Sequence, residues 1–339
     1  MSSRRRHLLL AARIAAGVVV VACVAAFARN LRWHAVREAF RAADPGLLLA
    51  AMLLWMPCTA LQALRWTSLV RAVKPVPPLT VLSCSYVGQA ASALLPMRAG
   101  EAVRTELLAR SAELPRAVAL GTVAIDHTVN GVVMLLIGAT LPLFLPVPAW
   151  TRAVVWTGVL LAAALLAVML RLARTPSQRL HPPGKLMAGV LRLRSGLVGL
   201  RTPRAALGAF AAAIAAWTLE ITTVVVALAA FHLPHGVATA MAVLVGVNLA
   251  LAIPAPPANL GSFELGAGFA LVALGGERDH AAAFALGLHA MQVLPTLLLG
   301  GLSLLRFRRR QIAAAAHVAA HPSEVEESAG FADRLPAES

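Results

Sequence analysis

Four carboxylates lie inside or beside apolar runs of this chain: Glu101, Asp126, Glu220 and Glu264. A charged side chain at the centre of a bilayer costs ~2.5–3.5 kcal/mol on insertion scales, so such groups persist where they pair or line a wet cavity. Glu101 stands in Pro96-Met97-Arg98-Ala99-Gly100-Glu101-Ala102-Val103-Arg104. Pro96 ends one helical segment, and Gly100 permits a tight turn. A helix starting near Gly100 presents unpaired N–H groups, a ready anion site. Arg98 and Arg104 add two guanidinium groups of the kind that grip phosphate in pairs of hydrogen bonds. Pairing of Glu101 with Arg98 or Arg104 in an interfacial loop fits the same residues equally well.

Glu264 ends a second break, Pro257-Ala258-Asn259-Leu260-Gly261-Ser262-Phe263-Glu264, which echoes the first. Paired broken helices in two halves of a membrane chain point to a transporter binding site, although no long identical stretch marks a repeat. Asp126 is followed by His127, and Asn130 lies on the same helix face. The Asp–His neighbours suit either proton relay or a packing salt bridge to Arg98 or Arg104. Glu220, between Trp217 and Thr222-Thr223, falls mid-helix and reads as a pairing or functional carboxylate. Asn248 and Gln292 read as interhelical hydrogen-bond partners.

The elements that must hold these residues are membrane helices. Of 339 residues 59% are hydrophobic and 13% charged, and the mean hydropathy is +0.76. A soluble fold needs more polar surface than this. Apolar runs of about 20 residues suffice to cross a ~30 Å hydrocarbon core, and they lack the alternation of a membrane barrel. Runs near 8–28, 45–64, 117–145, 152–171, 205–231, 236–254, 260–275 and 281–305 predict an all-α, polytopic integral membrane protein. It has about eight transmembrane helices, with 79–95 re-entrant. Residues 29–44 form an amphipathic link, residues 1–310 one membrane domain, and 311–339 a disordered cytoplasmic tail.

The net charge of +15 sits mostly between the apolar runs, so its partners are lipid headgroups rather than nucleic acid. Basic stretches mark the cytoplasmic side. They place the N-terminus, 65–78, 98–116, 171–204 and 306–310 inside; 29–44 then lies outside despite its four arginines. The first run reads as an uncleaved helix rather than a signal peptide. Cys23, Cys58 and Cys84 form no CxxC pair and read as apolar filler. No hydrolase, phosphate-loop, dinucleotide or metalloprotease motif occurs, and His280, His289, His317 and His321 show no metal-ligand spacing. No cofactor, metal or enzymatic activity is expected.

The two breaks carry a resemblance. Pro96-Met97-Arg98-Ala99-Gly100-Glu101-Ala102-Val103-Arg104 resembles the P-x-R-x-G-E-x-x-R element of the lysylphosphatidylglycerol synthase transmembrane family, whose members are flippase-like. The stretch from Pro257 to Glu264 resembles that family's P-G-N-I-G-x-F-E element, with Ala258 for the usual Gly. Arg65-Trp66 matches its Arg-Trp after the second helix, and Asp126-His127 its Asp-Arg pair with His for Arg. The likeness spans about residues 8–310. It implies a helical fold with re-entrant helices around a lipid-sized cavity in a bacterial inner membrane, both termini cytoplasmic. The implied function is to move or present lipids such as aminoacylated phospholipids, polyprenyl-linked sugars or hopanoids. Substrate contacts would come from Arg98, Gly100, Glu101, Arg104, Asp126, His127, Glu220, Asn259, Gly261 and Glu264, supported by Arg65, Trp66 and Asn130. The alternative is a membrane enzyme, or an accessory subunit that works with a separate soluble synthase or glycosyltransferase.

Overall fold

The computed structural model describes residue 29 and residues 32–95, 99–145, 149–174, 194–251 and 259–320. The first apolar run, the 175–193 loop, Cys23, Arg98, Ala258 and residues 321–339 lie outside the described residues. Ten α-helices and no strand occur among the described residues. They are α1 (Trp33–Ala42), α2 (Pro45–Arg71), α3 (Pro78–Leu94), α4 (Gly100–Ser111) and α5 (Arg116–Ala139). These are followed by α6 (Ala149–Arg174), α7 (Pro203–Ala230), α8 (Val237–Leu251), α9 (Ser262–Ala273) and α10 (Arg278–Ala320). Five of the described helices (α2, α5, α6, α7 and α10) are long and apolar enough to cross a membrane. The helix α10 runs ten residues past the boundary expected at 310.

Local chemistry sets the helix starts. Pro45, Pro78 and Pro203 each occupy the first turn, where the missing N–H costs nothing. Asp44 caps α2, its Oδ1 accepting from the N–H groups of Gly46 (2.7 Å) and Leu47 (3.1 Å). At the base of α4, Arg116 and Arg110 hydrogen-bond the Glu106 carboxylate. Those bonds hold its pKa down at about 2.

The helices α3 and α4 form one hairpin, and α8 and α9 another. At ~1.5 Å per residue their 17, 12, 15 and 12 residues reach ~25, ~18, ~22 and ~18 Å, short of the ~30 Å core. The runs at 236–254 and 260–275, expected as crossings, are thus two arms of a second short hairpin. Each hairpin closes on a pair of glycines. A Cβ on Gly100 would lie 1.9 Å from the Gly88 carbonyl oxygen, and one on Gly266 2.6 Å from that of Gly246. Only bare backbone fits at either crossing.

The two hairpins enter from opposite faces. Asp44 opposes Ala230, Cys58 opposes Ala216, and Ser68 opposes Gly208, so α2 and α7 are antiparallel. One face gathers the starts of α2 and α10 with the end of α7. There Arg32 pairs with Glu277 (2.6 Å) and Asp279 (2.5 Å), and His232 meets the Ala42 carbonyl (3.0 Å). The second hairpin begins and ends at this face. The opposite face joins the ends of α2 and α4, where Lys74 Nζ donates to the Ala112 carbonyl at 2.7 Å. The first hairpin begins and ends there. The chain is therefore two halves of one plan, a long helix, a short hairpin and a long helix (α2–α5 and α7–α10), set in opposite senses. The helix α6 lies at the edge, and its leucines Leu160, Leu161 and Leu165 face outward.

Candidate functional site

A cavity of about 200 Å³ opens between α2, α3, α4, α5, α7 and α8. Its walls are polar, although the helices that build them are apolar. From α2 come Gln62 and Arg65, from α3 Ser85 and Gln89, and from α4 Glu101 and Arg104. The helix α5 adds Asp126, His127 and Asn130, α7 adds Trp217 and Glu220, and α8 adds Asn248.

Asp126 is the hub of one wall. Its Oδ1 accepts from Arg65 Nε at 2.7 Å, and its Oδ2 accepts from the terminal nitrogens of Arg104 (3.1 Å) and Arg65 (3.4 Å). Asp126, Arg65 and Arg104 are all buried. Arg65 also donates to Asn130 Oδ1 at 2.5 Å. Arg104 donates from Nε to Glu101 at 2.5 Å and meets His127 Nε2 at 2.9 Å. Its guanidinium stacks 4.8 Å above the Trp66 ring, which donates from Nε1 to Thr122. Burial of these charges is tolerated because every one is paired and hydrogen-bonded.

Two consequences follow for recognition. First, Arg104 is committed on all sides and is not free to grip a phosphate. The start of α4, read from the sequence as an anion site, is packed against Gly88 and Ser92. Second, the cavity holds two guanidinium groups against three carboxylates, so it is not a basic sink despite the chain's net charge of +15. Glu220 makes no hydrogen bond or ion pair with any described residue. With the Gln62, Gln89 and Asn248 amides it forms a wall rich in acceptors. His127 Nε2 lies 2.9 Å from both Glu101 Oε2 and Arg104. Facing a carboxylate and a guanidinium together, that nitrogen satisfies one or the other according to its proton.

The second break is built differently. Asn259 (φ 55°) and Gly261 (φ 84°) both take left-handed backbone, a conformation that Asn and Gly tolerate best. Glu264 Oε2 accepts from the Gly261 N–H at 2.7 Å, and its Oε1 meets His289 Nδ1 at 2.6 Å. His289 stacks on Phe263 with centroids 4.4 Å apart. Asn259, Gly261 and Glu264 therefore do not reach the cavity, contrary to the expectation that they join it; Glu264 caps its own helix and ties α9 to α10. His289, singled out in the sequence only for its lack of metal-ligand spacing, is its partner. Asn248 bonds to Leu244 of its own helix (2.8 Å) rather than across helices. Gln62, Ser85 and Gln89 went unrecognised as site residues, because a neutral polar residue in a helix carries no signal of which way it faces.

This arrangement of apolar helices defines a multi-pass membrane protein. The family model for the lysylphosphatidylglycerol synthase TM region matches residues 13–300, and the chain belongs to that family. A search of curated proteins finds no match. The family associates the chain with lipid metabolism and transport at a membrane.

Proposed function

We propose that the chain is a lipid translocase of a bacterial inner membrane, with the polar cavity receiving the headgroup while the aliphatic part stays among the helices. The observation that carries this reading is the cavity itself, a charged and partly unpaired polar space enclosed by apolar helices and flanked by two hairpins of opposite sense. Inverted halves with broken helices around a polar site suit alternating access from the two sides of a membrane. The acceptor wall of Glu220, Gln62 and Asn248 suits a headgroup that brings N–H or O–H donors. The two guanidinium groups on the facing wall suit a phosphate only once it exchanges with a carboxylate. The basic segments at 65–78 and 306–310 face the cytoplasm in this reading, and the Arg32 cluster faces outward. The work done is transport rather than catalysis, and a separate soluble synthase or glycosyltransferase would supply or consume the lipid.

The test is purified protein in liposomes carrying a fluorescent phosphatidylglycerol, with transbilayer movement read by quenching of the outer leaflet. Native mass spectrometry of the gently solubilised protein would identify co-purifying lipid. Glu220→Gln is the decisive variant, because Glu220 makes no hydrogen bond or ion pair with any described residue and the fold should survive its change. Loss of movement with unchanged size-exclusion behaviour is expected. Movement and bound lipid both unchanged in Glu220→Gln and Glu101→Gln would refute the assignment of the cavity.

A further inference from the structure

Beside the polar cavity lies an apolar slit between α5, α7 and α8, and the two spaces share Trp217 as a wall. On each helix one face runs from polar to aliphatic. On α5 it steps from Asp126 and Asn130, in the cavity, to Met134, Ile137 and Gly138, in the slit. On α8 Asn248 gives way one turn back to Leu244 and Val245, and then to Met241. On α7 Trp217, which lines both spaces, is followed one turn on by Ile221 in the slit. Residues three and four apart share a helix face, so each stripe is continuous. The three together form a track that is polar at one end and aliphatic at the other.

The halves sharpen the point. In one half the first hairpin arm, α3, is sealed against the closing helix of the other, α10; a Cβ on Gly300 would fall 2.2 Å from Ala90 Cβ. The corresponding seam, α8 against α5, is looser. A Cβ on Gly138 would stand 3.4 Å from Val245 Cγ2, in ordinary contact. The slit holds about 10 Å³ of free space, roughly one water's worth, so a chain enters only by moving its walls. Those walls can yield, since Met134 and Met241 are unbranched and adaptable. Trp217 is the remaining barrier, and its Nε1 is the one buried side-chain N or O atom among the described residues that lacks a partner.

We propose that this slit is the binding site for the aliphatic chain of the lipid whose polar end fills the cavity, with Trp217 as the door between them. The proposal rests on the lipid-handling reading above. A fatty acyl chain and a polyprenyl chain share the chemistry that the slit selects.

The test is photo-crosslinking of the full chain in phosphatidylethanolamine–phosphatidylglycerol vesicles, with adducts mapped by mass spectrometry. Three probes are used: phosphatidylglycerol with a diazirine in the acyl chain, polyprenyl phosphate with a diazirine in the isoprenoid chain, and phosphatidylglycerol with a headgroup diazirine. At least one chain probe should mark Met134, Ile137 or Met241 above the outward leucines of α6, and which probe does so names the chain type. Filling the slit with Met241→Trp should cut those adducts ~10-fold, the equivalent of a modest overpacking penalty, while Met241→Leu leaves them. If the headgroup probe marks the cavity and both chain probes mark only Leu160 and Leu161, the slit is refuted and the translocase reading stands. If no probe marks the cavity or the slit, both fall.

Discussion

Replacing Asp126 by Asn keeps the shape of the hub and removes its charge. Asp126 now accepts three guanidinium contacts, at 2.7, 3.1 and 3.4 Å, from two buried arginines. An Asn offers one acceptor oxygen, and its NH₂ would point at a guanidinium. Breaking one partner from a buried ion pair costs ~3–5 kcal/mol, because the other charge is left uncompensated. Here two cations lose their common partner, although Glu101 still neutralises Arg104 in part. A loss of ~3–5 kcal/mol corresponds to roughly a 10²–10⁴-fold shift toward the unfolded form. Reversible unfolding in mixed micelles, followed by tryptophan fluorescence, measures it, since Trp66 and Trp217 are buried beside the network. The partner experiment is a double-mutant cycle with Arg65→Gln, in which residues in one network should couple by ~0.5–3 kcal/mol. A loss below ~1 kcal/mol, or additive effects in the cycle, would show that Asp126 does not bear the charge balance of this wall.

Gly100→Ala and Gly266→Ala should each cost ~1–3 kcal/mol by forcing the hairpin arms apart, whereas Gly131→Ala and Gly268→Ala, where an added Cβ meets nothing within 4 Å, should be neutral or stabilising by up to ~1 kcal/mol; thermal unfolding of the four variants side by side decides it. Glu264→Ala should cost ~1–3 kcal/mol by stranding His289 and the Gly261 N–H, yet leave lipid co-purification intact, and loss of bound lipid at unchanged stability would contradict its structural role. Glu106 is held at about 2 against its ordinary 4.5, so its stabilising contribution is complete above pH 4.5, declines as the pH falls, and is gone below about 2. The stability difference between wild type and Glu106→Gln should therefore be constant from pH 7 to about 5 and smaller at pH 3, as a thermal-shift series would show.

Hydrophobic run length made the membrane fold legible, and charges within or beside the apolar runs singled out Asp126, Glu101, Glu220 and Arg104, all of which line the cavity. Two things did not show in the sequence. Run length could not tell a crossing from a hairpin arm at 236–254, because what marks α8 as an arm is its close backbone packing on α9, Gly246 against Gly266, which an apolar string does not display. Nor could it tell which side of the protein a broken helix serves. The first and second breaks look alike as strings, but Glu101 reaches the cavity while Glu264 turns back onto Gly261 and His289. For Arg104 the sequence left anion binding and pairing equally open. From spacing it had two acidic neighbours to choose from, and the fold gives it both, which leaves nothing over for a phosphate.

The likeness of the halves reaches the chemistry. In each, a Glu in the first turn of the second hairpin arm meets a His on the closing helix: Glu101 with His127 at 2.9 Å, and Glu264 with His289 at 2.6 Å. Gln62 and Glu220 stand the same number of residues after Pro45 and Pro203, the prolines that start α2 and α7, and both line the cavity. The cavity thus lies where the two halves meet, lined by four helices of the first and two of the second. Its contents break that symmetry. The first half keeps its Glu–His pair partly open to the cavity, with the side chains 34% and 46% exposed, while the second buries its own at 5% and 8%. The Arg65–Asp126–Arg104 chain belongs to the first half alone. One half therefore supplies a charge-compensated wall and the other Glu220, a carboxylate with no hydrogen-bond or ion-pair partner among the described residues, so a ligand entering the cavity would meet two different chemistries.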